Sequence, residues 1–170
     1  DCRMSIYCIG DIHGCYRELQ ELLDKVGASL KSDTFWFVGD LVNRGPDSLA
    51  VLRYIKELPR KIVVLGNHDF HLLALYHKVV YPAPHTLDEV LMAKDRGDLL
   101  DWLKCQPLMH HDKENNWVLT HAGVYPLWGV VEAQKYAEEV GEILRSSDAP
   151  LLFEHMYGNL PDVWCEDLRE

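Results

Sequence analysis

Short apolar runs alternate along this chain with stretches in which apolar residues return every three or four positions, and most runs stop at a polar cluster containing glycine. Residues 4–9 form the first run; Leu19, Leu22, Leu23 and Val26 then recur at helical spacing across residues 16–26. Residues 34–38 are rich in strand formers, and Leu49, Leu52 and Ile55 mark one face of a helix over 46–58 entered through a Gly-Pro turn. The cycle returns with residues 62–65 before a helical stretch over 72–76, and residues 117–120 make a later run. A strand, loop and helix in repeated succession predict an α/β fold of layers, with central β-sheets flanked by helices. Ligands of such sheets collect at the carboxyl ends of the strands.

The middle of the chain has a different rhythm. Residues 81–97 hold a proline-containing loop, a short apolar helix near 87–92 and a charged turn, followed by an amphipathic stretch over 99–105. This predicts a helical insertion around 70–105, lying over the site. A polar turn at 112–116 between Leu108-Met109 and Trp117-Val118 predicts a hairpin. Residues 130–145 predict a further helix whose Glu138, Glu139 and Glu142 form a solvated acidic face. With 170 residues, 48% of them hydrophobic, and no repeat or break in composition, the chain reads as a single domain over 1–170.

Four of the polar clusters carry chemistry. Gly10-Asp11-Ile12-His13-Gly14, Gly39-Asp40-Leu41-Val42-Asn43-Arg44-Gly45, Gly66-Asn67-His68-Asp69 and Thr120-His121-Ala122-Gly123 each offer a carboxylate, imidazole or amide oxygen near a glycine. Glycine lets backbone and ligand approach closely. Hydrolysis of a phosphate ester or anhydride near neutral pH calls for a hydroxide that water alone supplies poorly. Two divalent metals ~3.5–4 Å apart generate it by lowering the pKa of a bridging water, and they clamp the phosphate oxygens. One carboxylate then has to touch both metals. Asp40 is the natural bridge, with Asp11 and His13 on one metal and Asn67 and His121 on the other. This mixed nitrogen and oxygen set suits Mn, Fe, Co or Zn rather than Mg alone. His68, beside a ligand, is placed to act as general acid, since an imidazole titrates near working pH. Arg44 supplies a planar fork for the non-bridging phosphate oxygens.

Taken singly, these features are ordinary. Gly-Asp pairs form turns, and Asp69 and His71 suit a helix cap or support for a ligand better than metal contact. His77, His85, His110, His111 and His155 stand apart from the clusters and read as surface or hydrogen-bonded histidines. His13, His68 and His121 differ because the other segments supply complementary ligands.

Composition narrows the partners. A net charge of −10 argues against an extended nucleic-acid surface, because affinity for nucleic acid rests on phosphate neutralisation. It leaves room for a small polyphosphate in a locally positive cleft. No apolar stretch is long enough to span a bilayer, so no membrane partner is expected, and the first residues do not read as a signal peptide. Five scattered cysteines, Cys2, Cys8, Cys15, Cys105 and Cys165, read as reduced thiols of a cytoplasmic protein, with Cys15 beside the site and open to oxidation.

GDIHG, GDLVNRG, GNHD and THAG together resemble the calcineurin-like metallophosphoesterase superfamily, in its phosphoprotein-phosphatase branch. The stretches 66–74, 121–128 and 156–164 extend the likeness to the bacterial symmetrical diadenosine tetraphosphatases, over nearly all of residues 4–169. The resemblance implies hydrolysis of diadenosine tetraphosphate to two ADP with Mn or Co as the activating metal, and removal of dinucleoside caps from RNA ends. Residue by residue it gives Asp11, His13, Asp40, Asn67 and His121 as ligands, His68 as acid, and Arg44 and Arg169 as phosphate contacts. It also implies that the chain is truncated before a Gly-His segment carrying one more metal-ligating histidine, so that a second metal is held weakly. Asn43 stands where protein phosphatases carry an aspartate, which counts against the alternative of a Ser/Thr protein phosphatase. A further alternative is a metal-poor binding scaffold.

Overall fold

The structure, a computed structural model, describes residues 4–79, 83–158, 160 and 163–164. Three parallel strands, β1 (Ile6–Ile9), β2 (Thr34–Phe37) and β3 (Lys61–Val63), form a sheet in the order β1-β2-β3. Their register sets Tyr7 against Phe35, Ile9 against Phe37 and Phe37 against Val63. Helices α1 (Tyr16–Lys25) and α2 (Ser48–Glu57) make the crossovers. These elements start and stop within one or two residues of the bounds that the apolar pattern predicts. One boundary differs in a way that matters: α3 (Asn67–Tyr76) begins five residues before the apolar stretch that predicts it. Asp69 is the reason, since its carboxylate accepts the N–H of Gly66 at 2.9 Å and caps the helix one turn earlier.

Alternation along β2 divides the core. Phe35 and Phe37 face α1 and α2 and are fully buried with Val51, Leu52 and Ile55, whereas Trp36 and Val64 face the other way. On that second face lies an antiparallel hairpin of β4 (Met109–Asp112) and β5 (Trp117–Thr120), as the polar turn predicts. Leu119 packs on Trp36 and Val64, and the Trp36 ring meets the edges of His110 and Trp117.

The helical insertion exists as α4 (Asp88–Met92) and α5 (Arg96–Lys104), but these helices do not lie over the site. Both pack on α2, and Leu87, Val90, Leu99, Leu100 and Leu103 join the main core. Among the described residues after α3, it is the loop at 83–86, and not α4 or α5, that joins the ligand residues in lining a cavity. Helix α6 (Val130–Arg145) matches its expected bounds, with Glu138, Glu139 and Glu142 exposed. A short α7 (Ala149–His155), which periodicity does not reveal, buries Phe153 against α3. No helix among the described residues is long and apolar enough to cross a membrane.

Candidate metal centre

The loops after β1 and β2 are laced together by backbone hydrogen bonds. Ile12 and His13 donate their N–H groups to the carbonyl of Asp40, Gly14 donates to Leu41, and Gly45 donates to the carbonyl of His13. Close packing is obligatory at Gly66, where an added Cβ would fall onto the carboxylate and backbone of Asp40, and at Gly39, whose φ of +95° is open mainly to glycine. Among the described residues six non-glycine positions have a left-handed backbone, and four of them, His13, Asp40, Asn43 and Arg44, lie in these loops. Such strain persists only where the surrounding bonds over-determine it, and it concentrates at functional sites.

Asp69 provides much of that determination. Its fully buried carboxylate accepts the N–H groups of Asp40 at 2.8 Å, Leu41 at 3.0 Å and Gly66 at 2.9 Å, which ties the second loop to the third. Burial pushes this carboxyl up to about 7, against the three N–H donors that favour its charge. The expected supporting role of Asp69 is therefore what the geometry provides.

Asp40, itself buried, lies between two histidines. His13 binds the carbonyl of Val42 through Nδ1 at 3.2 Å, and His121 binds the carbonyl of Val38 through Nδ1 at 2.8 Å. A carbonyl accepts, so in both rings Nδ1 carries the proton and the Nε2 lone pair is turned inward. The Nε2 of His13 stands 3.7 Å from Oδ2 of Asp40 and 3.6 Å from Asp11, while the Nε2 of His121 stands 3.6 Å from the other oxygen, Oδ1. These separations are too long for hydrogen bonds. Lone pairs and carboxylate oxygens thus face one another unbonded, an arrangement that fits cations on either side of Asp40. Asn67 completes the second side, with Oδ1 3.1 Å from Nε2 of His121. All five expected ligands, Asp11, His13, Asp40, Asn67 and His121, are gathered here.

His68 offers a ligand atom within 4.8 Å of those of His13 and Asp40. Its Nδ1 is nevertheless engaged elsewhere. The Oδ1 of Asn43 accepts the N–H groups of Arg44 at 2.9 Å and Thr86 at 3.0 Å, so its Nδ2 donates to Nδ1 of His68 at 2.9 Å. That leaves the His68 proton on Nε2; the Arg44 Nε–H 3.3 Å away is also a donor, so the two groups stand side by side with no hydrogen bond between them. Burial, the largest influence, holds this imidazole below its ordinary pKa, against the pull of Asp40. Arg44 is exposed and lines, with Asn67, His68 and His121, the mouth of a cavity of about 1110 Å³. Arg169, Cys2 and Cys165 lie outside the described residues, among which Cys8, Cys15 and Cys105 are free thiols. Cys15 sits 3.8 Å from the carbonyl of His13.

The cavity also shows what motif reading misses. His85, an isolated histidine in the sequence, lies in its wall, as do Trp128 and Tyr136 from the distant stretch 128–136. His71 is buried and shares a 2.7 Å hydrogen bond with Tyr157. No local spacing links these residues; Thr86, which bonds both Asn43 and the carbonyl of Gly45, was the nearest signal that this loop belongs to the site.

Residues 4–167 match the family model for calcineurin-like phosphoesterases. The chain is 48% identical over 170 residues to a symmetrical bis(5'-nucleosyl)-tetraphosphatase of Thioalkalivibrio sulfidiphilus, covering 98% of this chain and 62% of that protein. It is 50% identical over 168 residues to the protein of the same name from Nitrosospira multiformis, covering 98% of this chain and 60% of that one. The chain therefore spans about three fifths of the length of these relatives. A crystal structure of a candidate diadenosine tetraphosphatase superposes with a TM-score of 0.63 at 35% identity, over 75% of this chain and 57% of that one. A serine/threonine phosphatase from Saccharomyces cerevisiae, 21% identical with a TM-score of 0.56 over 76% of this chain and 42% of its own, shares the fold.

Proposed function

We propose that this chain, which belongs to the calcineurin-like phosphoesterase family, carries the hydrolytic centre for a dinucleoside polyphosphate and splits diadenosine tetraphosphate symmetrically into two ADP. The observation that carries this reading is the pair of imidazole Nε2 atoms turned toward the two separate oxygens of one buried carboxylate, Asp40. Asp11, His13 and Asp40 would hold one divalent ion, and Asp40, Asn67 and His121 the other, with Mn the ion we favour and Co, Fe or Zn compatible with the donors. When bound, such a pair lowers the pKa of water and neutralises phosphate oxygens.

The remaining work falls to the chain. Arg44 offers a bidentate donor at the cavity mouth for the non-bridging oxygens and so orients the scissile bond. His68 turns Nε2–H outward as a hydrogen-bond donor to the leaving oxygen. Asn43 already gives a proton to Nδ1, so nothing there balances a full imidazolium as a carboxylate would. That suits an anhydride better than a serine ester: a departing nucleoside diphosphate is a stable anion, whereas a serine alkoxide needs a complete proton. The same detail weighs against protein dephosphorylation. Free thiols at Cys8, Cys15 and Cys105 fit a reducing compartment, and we place the protein in the cytoplasm.

Chromatography of products after incubation with diadenosine tetraphosphate and Mn²⁺, beside a phosphopeptide, tests the reading. ADP as the single nucleotide product is expected. AMP with ATP, or faster turnover of the phosphopeptide, would overturn it.

A further inference from the structure

The cavity lined by Asn67, His68 and His121 has a second group of lining residues of another character, which we call its arm. Its walls come from Phe70 on α3, from Trp128, and from Tyr136, Ala137 and Val140 on α6. Among the described residues lining the cavity, Arg44 alone bears a permanent charge. At about 1110 Å³ the cavity exceeds the usual range for a drug-sized ligand. The Trp128 and Tyr136 rings lie 4.7 Å apart, and Trp164 backs Trp128 at 5.3 Å, which gives the arm an aromatic wall supported from behind. Between mouth and arm sit polar groups with settled roles. Leu87 donates its N–H to Nδ1 of His85 at 3.2 Å, so the His85 proton is on Nε2, and His71 pairs with Tyr157 close by.

We propose that this arm is a nucleoside subsite, in which a nucleobase stacks on the Trp128–Tyr136 wall, the sugar meets His85 and the His71–Tyr157 pair, and the phosphate chain runs out to Arg44 and the ligand residues. The assignment rests on the function proposed above and adds the residues that recognise the uncleaved part of the substrate. Its physical basis is direct. A flat, neutral, polarisable group joined to a polyanion matches an uncharged aromatic arm joined to a cationic mouth, and stacking of a base on an aromatic side chain contributes about 1–3 kcal/mol. A phosphopeptide offers backbone amides that this arm has few groups to satisfy.

Calorimetry on the Mn²⁺-loaded protein with two probes tests it: a methylene-bridged, non-hydrolysable analogue of diadenosine tetraphosphate, and inorganic tripolyphosphate. The wild type is expected to bind the analogue more tightly. Trp128→Ala should weaken the analogue by about 5–150-fold while tripolyphosphate binding holds within about twofold. Ala137→Phe, which fills the arm without removing the aromatic wall, should do the same and carries the test if the first variant does not fold. Unchanged analogue binding in a folded variant, or equal losses for both probes, overturns the subsite. If wild type binds tripolyphosphate and the analogue alike, the subsite fails while the phosphate site stands. Binding of neither probe removes the proposed function and the subsite with it.

Discussion

Up to Tyr76 the chain buries most of its large apolar residues, whereas from Met109 onward it leaves many of them in solvent. Helix α2 buries five of its ten residues, among them Leu52 with no exposed surface. Helix α6, with sixteen residues, buries three, and Val131 is 82% exposed and Ile143 42% exposed. The site divides along the same line. Asp11, His13, Asp40 and Asn67 stand on loops tied by backbone bonds and by Asp69; His121 alone comes from the later part, held by the carbonyl of Val38. Two tasks are thereby separated. On the proposed function, the early part would be the frame that fixes where cations sit, and the later part would add one ligand and much of the wall that a substrate meets.

The division is broken most severely by separating chemistry from metal binding inside the frame. His68→Asn should lower turnover of diadenosine tetraphosphate by about 10²–10⁴-fold with metal content unchanged, as removal of a proton-donating group does. Elemental analysis beside steady-state rates checks this, and a matching loss of metal would move His68 into the ligand set.

A second contrast sharpens the difference in packing. Leu52→Ala should destabilise the chain by about 2–5 kcal/mol, because a fully buried side chain leaves a cavity. Ile143→Ala in α6 should cost under about 1 kcal/mol, since much of that side chain is already hydrated. Urea unfolding of both variants gives the two values, and equal losses would contradict the division.

Asp69→Asn tests the tie between the second and third loops. One carboxylate oxygen accepts from both Asp40 and Gly66 and the other from Leu41, so an amide must leave at least one buried N–H without an acceptor. The expected cost is about 1–3 kcal/mol in the same unfolding assay, with weaker Mn²⁺ binding because the Asp40 turn loosens. Asn43→Asp gives the smallest effect: a carboxylate beside Nδ1 lets His68 hold a full positive charge. The ratio of phosphopeptide to dinucleotide turnover should then rise by about tenfold, roughly 1.4 kcal/mol of altered transition-state preference.

Much of the frame was legible from the sequence because its signals are local. Apolar runs end in Gly-Asp and Gly-Asn segments, and Asp11, His13, Asp40 and Asn67 follow directly from where three strands stop. The early start of α3 was not legible, since Asn67, His68 and Asp69 show no apolar period and the cap depends on a buried bond to Gly66. Nor was the tautomer of His68, which needs Thr86 brought from 43 residues away to fix the Asn43 amide. Tyr136 and His85 escaped for the same reason, and Trp128, although in a stretch that carries the family likeness, had no assigned role: each is an ordinary residue until tertiary packing sets it in a wall shared with the ligands.

The central claim is that Asp40 serves two cations at once, with His13 on one side and His121 on the other. Electron paramagnetic resonance of the protein at saturating Mn²⁺ tests this most directly, because ions ~3.5–4 Å apart couple magnetically. The wild type should give the spectrum of a coupled pair, and Asp40→Asn should convert what metal remains into isolated ions. Uncoupled Mn²⁺ in the wild type, or coupling that survives in Asp40→Asn, would contradict the bridging role.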